Sequence, residues 1–464
     1  MIRLDHALSA APVLLSLLPY ASSGLAQPSS PPAQPPAQPD PSAASAETVA
    51  PRVRPVLVTR LEHREGFQRL RTPRPDHDAV AFRARLVVET PPWEASDTLR
   101  VRARFAPQAT GWWHTGGDDL ADPALTLHEG VVELEHGRAR FDLGRFEMSY
   151  GDELLVGRGE WAPTGRAFDG ARLRYALGPP AAAVDGFVTQ LSEGLVAGPA
   201  ACAGCPPLNT PFGAGDLWFL GIYAALGPLV AENAAVDVYG FGRLWPKTFD
   251  LGGTELDRDL AFEATLGARG KHRFGPVDAR LEATVQMGSR AAQLRDPTMP
   301  PPALDNPSVL AWQADAEAGG NFANDRLRAA LHGLIASGDD PQSERVEAFD
   351  HLYPTGYRVL GTSDVILARA NLLGAGVRLS AGPFSNVTAA LDVYHFRQLV
   401  GATPGADPIA LGTEIDTRVL WRLGAGVQLR AAFSMFLPDA AFVPRNDPLH
   451  FAELELVVRD EGPK

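Results

Sequence analysis

The chain has 464 residues, 45% of them hydrophobic and 21% charged, with a net charge of −13. No apolar run reaches eighteen residues, which excludes a helical membrane span, and two cysteines exclude a disulfide-stapled fold or a multi-cysteine metal site. The acidic balance sets nucleic acid aside as a partner, because phosphate binding needs a basic face.

Residues 1–26 have the parts of an export signal peptide: Arg3 in the n-region, an apolar stretch from Ala11 to Ala21, and small residues at Gly24-Leu25-Ala26. No Cys follows Ala26, which argues against a lipid anchor. Residues 27–50, rich in Pro, Ala, Ser and Gln, have too few apolar side chains to offset their ordering entropy. They are expected to form a disordered periplasmic tail, a spacer ahead of the body at 51–464.

Within that body, helical periodicity is scarce and period-two alternation is common. Phe82, Ala84 and Leu86 share a face opposite Arg83 and Arg85, and Leu99, Val101, Ala103 and Phe105 oppose Arg100, Arg102 and Arg104. Ala139, Phe141 and Leu143 oppose Arg138, Arg140 and Asp142; later, Leu281, Ala283 and Val285 oppose Arg280, Glu282 and Thr284. DRLRAALHG, DTRVLWRLG, GVQLRAAFSMF and FAELELVV repeat the device, and turn signals such as Gly178-Pro179-Pro180 and Gly275-Pro276 separate the runs. A soluble sandwich or propeller would bury the apolar face; a transmembrane barrel would turn it to lipid and keep the charged face in a wet lumen. A propeller requires a repeat that the chain lacks, and the body is too long for one sandwich. Arginine-rich polar faces suit a channel wall. The sequence therefore predicts an all-β fold, a transmembrane antiparallel β-barrel of about 16–18 strands. Trp218, Phe219, Tyr223, Trp245, Trp312 and Trp421 are candidates for interfacial girdles.

Three ordered blocks carry more than periodicity. The first, from Leu127 to Leu177, contains His128-Glu129, Leu143-Gly144-Arg145, Tyr150-Gly151-Asp152, Gly157, Trp161 and Gly165-Arg166-Ala167-Phe168-Asp169-Gly170. The second contains Ser337-Gly338-Asp339, Phe349-Asp350, Leu352-Tyr353-Pro354 and Gly361 to Asp364; the third is Leu411 to Asp416. Together they resemble the alginate-export family of outer-membrane porins. The resemblance implies a monomeric barrel of about 18 strands that passes an anionic polyuronate through a basic lumen. The chain departs from the outer-membrane pattern in ending without a terminal aromatic, the last being Phe451.

With apolar faces toward lipid, Arg83, Arg85, Arg100, Arg102, Arg104, Arg138, Arg140, Arg172 and Arg174 are expected to form one basic wall of the lumen, with Arg326, Arg328, Arg418, Arg422 and Arg430 opposite. Two roles are open to them: pairing with acids such as Glu133, Asp142 and Glu453 across strands, or meeting the carboxylates of a solute. The resemblance places Arg145, Arg158, Arg166 and Asp169 at or near the constriction, as solute contacts or as braces of tight turns. Arg145 has the wrong parity for the Arg138–Asp142 face, so a bulge or strand end is required if it points inward. Cys202 and Cys205, in a Pro/Gly-rich loop of an exported chain, are candidates for a local disulfide. The acidic runs at Asp118 and Asp257 lack EF-hand spacing, so no metal or other cofactor is expected.

The expected function is an outer-membrane porin of a Gram-negative bacterium for anionic solutes. Its partners are membrane lipid and an anionic small molecule or polyuronate, and a periplasmic partner is left open. The alternatives are a plugged structural or adhesive barrel and, further off, an outer-membrane enzyme, for which no nucleophile-elbow motif is present.

Overall fold

The computed structural model describes residues 50–460, except 71–75, 115–120, 179–181, 191–216, 232–233, 246–247, 250–254, 257–259, 291–305, 357–359, 367–368, 425 and 444–446. The expected signal peptide, the tail up to residue 49, and Cys202 and Cys205 lie outside the described residues.

Eighteen antiparallel strands close on themselves. They are β1 (Arg52–Glu65), β2 (His77–Glu89), β3 (Leu99–His114), β4 (Ala121–His136), β5 (Ala139–Phe146), β6 (Phe168–Ala176), β7 (Ala183–Gln190), β8 (Trp218–Ala225) and β9 (Ala235–Trp245). Then follow β10 (Ala261–Phe274), β11 (Val277–Ser289), β12 (Ser308–Phe322), β13 (Leu327–Ala336), β14 (Leu372–Phe384), β15 (Val387–Arg397), β16 (Ala410–Gly424), β17 (Val427–Pro438) and β18 (Leu449–Arg459). Each pairs with its sequence neighbours, and β1 pairs with β18 from Val56↔Arg459 to Glu65↔His450. Closure leaves no sheet edge, the condition for strands to stand in a bilayer.

Alternation explains which face goes where. On β10 and β11, Phe262, Leu266, Leu281 and Met287 point outward and are exposed, whereas Glu263, Thr265, Arg269, Glu282, Thr284 and Gln286 are buried inside. The exterior is a belt of exposed Leu, Val and Phe side chains, such as Leu57, Leu143, Leu331 and Leu454. In water such a surface would drive aggregation; against acyl chains it costs nothing to expose. The six girdle candidates divide: Trp218, Trp312 and Trp421 lie on the exposed exterior, but Phe219, Tyr223 and Trp245 are buried in the interior. Strand parity decides this, since Trp218 and Phe219 are adjacent and must face opposite sides.

The two rims differ. Short turns such as Gly137-Arg138 and Gly275-Pro276 cap one end, and at the other the connections are longer, notably 147–167 and 337–371. An arginine placed mid-strand on the exterior, Leu266→Arg, is expected to lower stability in lipid vesicles by about 2–4 kcal/mol, and Phe274→Arg at the rim by about 0–1 kcal/mol; urea unfolding of the refolded barrel measures both.

Candidate functional site

The first two motif blocks, nearly two hundred residues apart, meet inside the barrel. The 147–167 and 337–371 segments turn into the lumen and pair in parallel at Val156 and Tyr353. Tyr353 N–H donates to the Leu155 carbonyl at 2.8 Å, and Gly157 N–H to the Tyr353 carbonyl at 2.9 Å. The Thr355 hydroxyl donates to Glu153, and Arg166 to the carbonyls of Tyr353 and Pro354. Beneath them Leu154, Leu155, Phe168, Phe219 and Tyr353 form an apolar core, with the Phe219 and Tyr353 rings edge to face at 4.8 Å.

Lumen side chains pin these segments. Arg83 is buried and donates to the carbonyls of Glu160, Ala162 and Pro163. Arg85 and His128 meet Glu147 at 3.1 and 2.6 Å, and Arg60 donates to the Trp161 carbonyl at 2.8 Å while stacking on its ring. Across the lumen, Arg243 holds Asp350 at 2.8 Å, and Glu414 accepts the backbone N–H groups of Thr362 and Ser363, each at 2.8 Å. Gly361 makes that cradle possible. It sits at φ +73°, and a Cβ there would lie 2.4 Å from the Glu414 carboxylate.

The expected basic wall is therefore of a different kind. Arg102 and Arg104 approach Glu133, at 3.8 and 3.4 Å, and Arg104 also meets Glu129 at 3.2 Å. Arg140 bridges Glu133 and Asp142, Arg172 grips Asp142, and Arg174 lies 3.7 Å from Asp185. Arg100 pairs with Glu94 at the exposed short-turn rim, and Arg138 stands in a turn rather than on the wall. Arg158 meets Glu153 and Glu160. Arg145 pairs with Asp169 directly opposite on β6, at 3.0 Å, with no bulge in the register. That places both on the parity of Leu143 and Leu173, the outer face, not in the constriction.

A mostly basic lining appears instead in one cavity beside β10–β16. A cavity of about 900 Å³ is lined by Arg269, Lys271, Arg273, Arg280, Arg328, Arg378 and Arg418 against Asp152, Asp278, Glu317 and Asp392. Here two of the carboxylates bridge neighbouring arginines: Glu317 accepts from Arg328 at 2.6 Å and Arg378 at 2.7 Å, and Asp392 pairs with both Arg378 and Arg418. Seven cationic and four anionic side chains thus face the cavity, while Asp237, Asp325 and Asp315, outside its lining, also pair with Arg269, Arg273 and Arg280. Of the second wall read from the sequence, Arg328 and Arg418 line this cavity, Arg430 is taken by Glu453 at 2.7 Å, and Arg326 and Arg422 lie in or beside rim turns. Arg269, Arg280 and Arg378 escaped notice singly, although the DARLEATVQMG alternation already puts Arg280 on the polar face.

Charge within the inward segments is set by these contacts. Burial pushes the Glu147 carboxyl up, but His128, Arg85 and Arg158 outweigh it and hold it down at about 2. Asp152 is likewise held below its ordinary range, with Arg269 and Arg280 overcoming burial. Burial, aided by Arg369, lowers His351 to about 4, so it is neutral near pH 7.

No described protein family and no curated protein matches the chain. Its fold matches solved Occ (Opd) outer-membrane porins. OccK11 (OpdR) of Pseudomonas aeruginosa superposes with a TM-score of 0.56 at 11% identity, covering 88% of this chain and 95% of that one. OccAB3 of Acinetobacter baumannii gives 0.57 at 10% identity over 88% and 98%, and OccK2 (OpdF) of P. aeruginosa, solved with glucuronate, 0.55 at 12% over 88% and 97%. At these identities the likeness is one of fold.

Because Glu147 is held below its ordinary value near 4.5, its pairing stabilises the native state above that value and is lost as pH falls through about 2. Glu147→Gln is expected to cost on the order of 1–3 kcal/mol at pH 7. Denaturant unfolding repeated down the pH scale should show that deficit shrinking between about pH 4.5 and pH 2.

Proposed function

We propose that the chain is an outer-membrane porin that passes anionic solutes of the carboxylate class. The observation that carries this reading is the cavity of about 900 Å³ whose lining holds seven basic and four acidic side chains. A ring of fixed charge in a confined, partly dehydrated lumen sets which ion enters, and arginine keeps its charge at any working pH. Two fold neighbours are consistent with such solutes: OccK2 was solved in complex with glucuronate, and OpdK with vanillate. The short turns would then face the periplasm and the long connections the exterior. The narrower reading, a polyuronate such as alginate exported by a monomer, rests on the three motif blocks.

A specific observation also favours a plugged barrel: two inward segments, hydrogen-bonded to each other, cross the lumen. Current separates the two. Refolded into a planar bilayer under a KCl gradient, the barrel is expected to give an anion-selective reversal potential and to be blocked by uronate oligomers. Arg328→Glu together with Arg378→Glu should move the reversal potential to zero or to the cation side. A folded barrel without current would support the plug, and an open cation-selective pore would remove the anionic solute.

A further inference from the structure

The tip of the 147–167 segment stands where two cavities meet. Gly151 lines both the cavity of about 900 Å³ and a second of about 230 Å³, whose walls include Tyr150, Arg172 and Tyr223. The tip is a tight turn with Gly151 at φ +57° and Glu153 at φ +60°, and a Cβ on Gly151 would lie 3.1 Å from Arg269. Its two acids are used differently. Glu153 looks back into its own segment, accepting from Ser149 at 2.6 Å and Arg158 at 3.2 Å and from Thr355 across the loop pair. Asp152 looks the other way. Its carboxylate accepts a two-point contact from Arg269, at 2.7 and 3.0 Å, and a longer one from Arg280 at 3.3 Å.

Three features together mark this contact. First, Asp152 reaches from a loop to a wall, and its side chain is 31% exposed, so a solute in the larger cavity can reach it. Second, both arginines have another acid on the wall: Arg269 pairs with Asp237 at 2.7 Å and Arg280 with Asp315 at 2.5 Å. They would stay aimed if Asp152 left. Third, what Asp152 supplies is a carboxylate on a bidentate fork, the same group that a uronate or another carboxylate solute carries.

We propose that Asp152 is an internal stand-in for the solute's carboxylate, a latch that holds the loop tip between the two cavities until an entering carboxylate takes its place on Arg269 and Arg280. The inference rests on the anionic-solute reading of the same lumen. One carboxylate replaces another, so the exchange is nearly balanced in contact energy and is decided by concentration. A tethered group competes at an effective concentration on the order of millimolar, so solute at about that level displaces it. The tip then swings free and the two cavities join into one path.

Single-channel recording with sodium glucuronate as the probe tests this. Native barrel is expected to show two current levels, with glucuronate at about millimolar concentration raising the time spent in the higher one. Asp152→Asn removes the competitor: the higher level should dominate without glucuronate, and the concentration for half-block should fall by about tenfold. Tighter binding is the decisive readout, because a merely structural role for Asp152 would weaken the site or leave it alone. Arg280→Gln, which loosens the same contact from the wall, is the second variant and should favour the higher level without tightening glucuronate. An Asp152→Asn channel with native current levels and native half-block, in a barrel that still selects anions, overturns the latch and leaves the porin standing. A native barrel that conducts cations and ignores glucuronate overturns both.

Discussion

Between its two rims a closed membrane barrel has to turn charged side chains inward, and in a narrow lumen each one then needs a counter-charge. That constraint shapes the rest of the molecule. An isolated arginine in a partly dehydrated interior is costly, and removing one partner of a buried pair costs more than the pair itself contributes. Arg60 shows the solution at its densest: it is 2% exposed, donates to Glu62 at 2.6 Å and to Glu455 at 3.3 Å, and lies on the Trp161 ring. Around β1–β6 the inward arginines are tied to resident acids, as Arg104, Arg140 and Arg172 are to Glu133 and Asp142, so that wall is a lattice whose main product is rigidity. Beside β10–β16 the wall of one cavity presents seven basic and four acidic side chains, and the same residue type becomes a surface that can meet an anion.

Pinning the inward segments uses the same chemistry with backbone as the partner. Arg83 and Arg166 donate to backbone carbonyl oxygens, acceptors that are part of the chain and stay with it. Glu414 does the converse with N–H groups. These are strong contacts to obligatory backbone groups, and they fix the segments at their roots. Asp152 is bound by side chains alone at a tip, where exchange disturbs no backbone hydrogen bond. Firm roots and an exchangeable tip are what separate a constriction from a plug.

Much of the wall was legible in the sequence because the period of two is a geometric necessity: Phe82 against Arg83 and Leu281 against Arg280 can be assigned by alternation alone. Parity also read Arg145 correctly as lying off the polar face, while the family resemblance drew it toward the constriction; the unbroken β5–β6 register sides with parity. The closed ring of eighteen strands falls within the expected span. What alternation could not show is where a loop goes. The meeting of Val156 with Tyr353 depends on apolar residues in segments without periodicity, and the Phe219–Tyr353 contact couples positions more than a hundred residues apart. Arg378 was hidden for a related reason: its strand, β14, is built from Gly, Ala and Leu and offers little contrast between faces.

Net charge is the weakest guide to such a molecule. A chain at −13 encloses a cavity with seven basic and four acidic side chains, because overall charge counts residues while a solute feels only those whose field is confined with it. Charge on exposed loops is screened within roughly 10 Å at physiological salt, whereas charge inside a low-dielectric wall is screened far less. Counting arginines errs in the other direction, since Arg104, Arg140 and Arg172 are inward and yet already committed to Glu133 and Asp142. The quantity that decides selectivity is the local surplus of donors over resident acceptors. In this lumen Arg269 and Arg280 each hold one acid of the wall, Asp237 and Asp315, and share a further one, Asp152, that is carried by a loop.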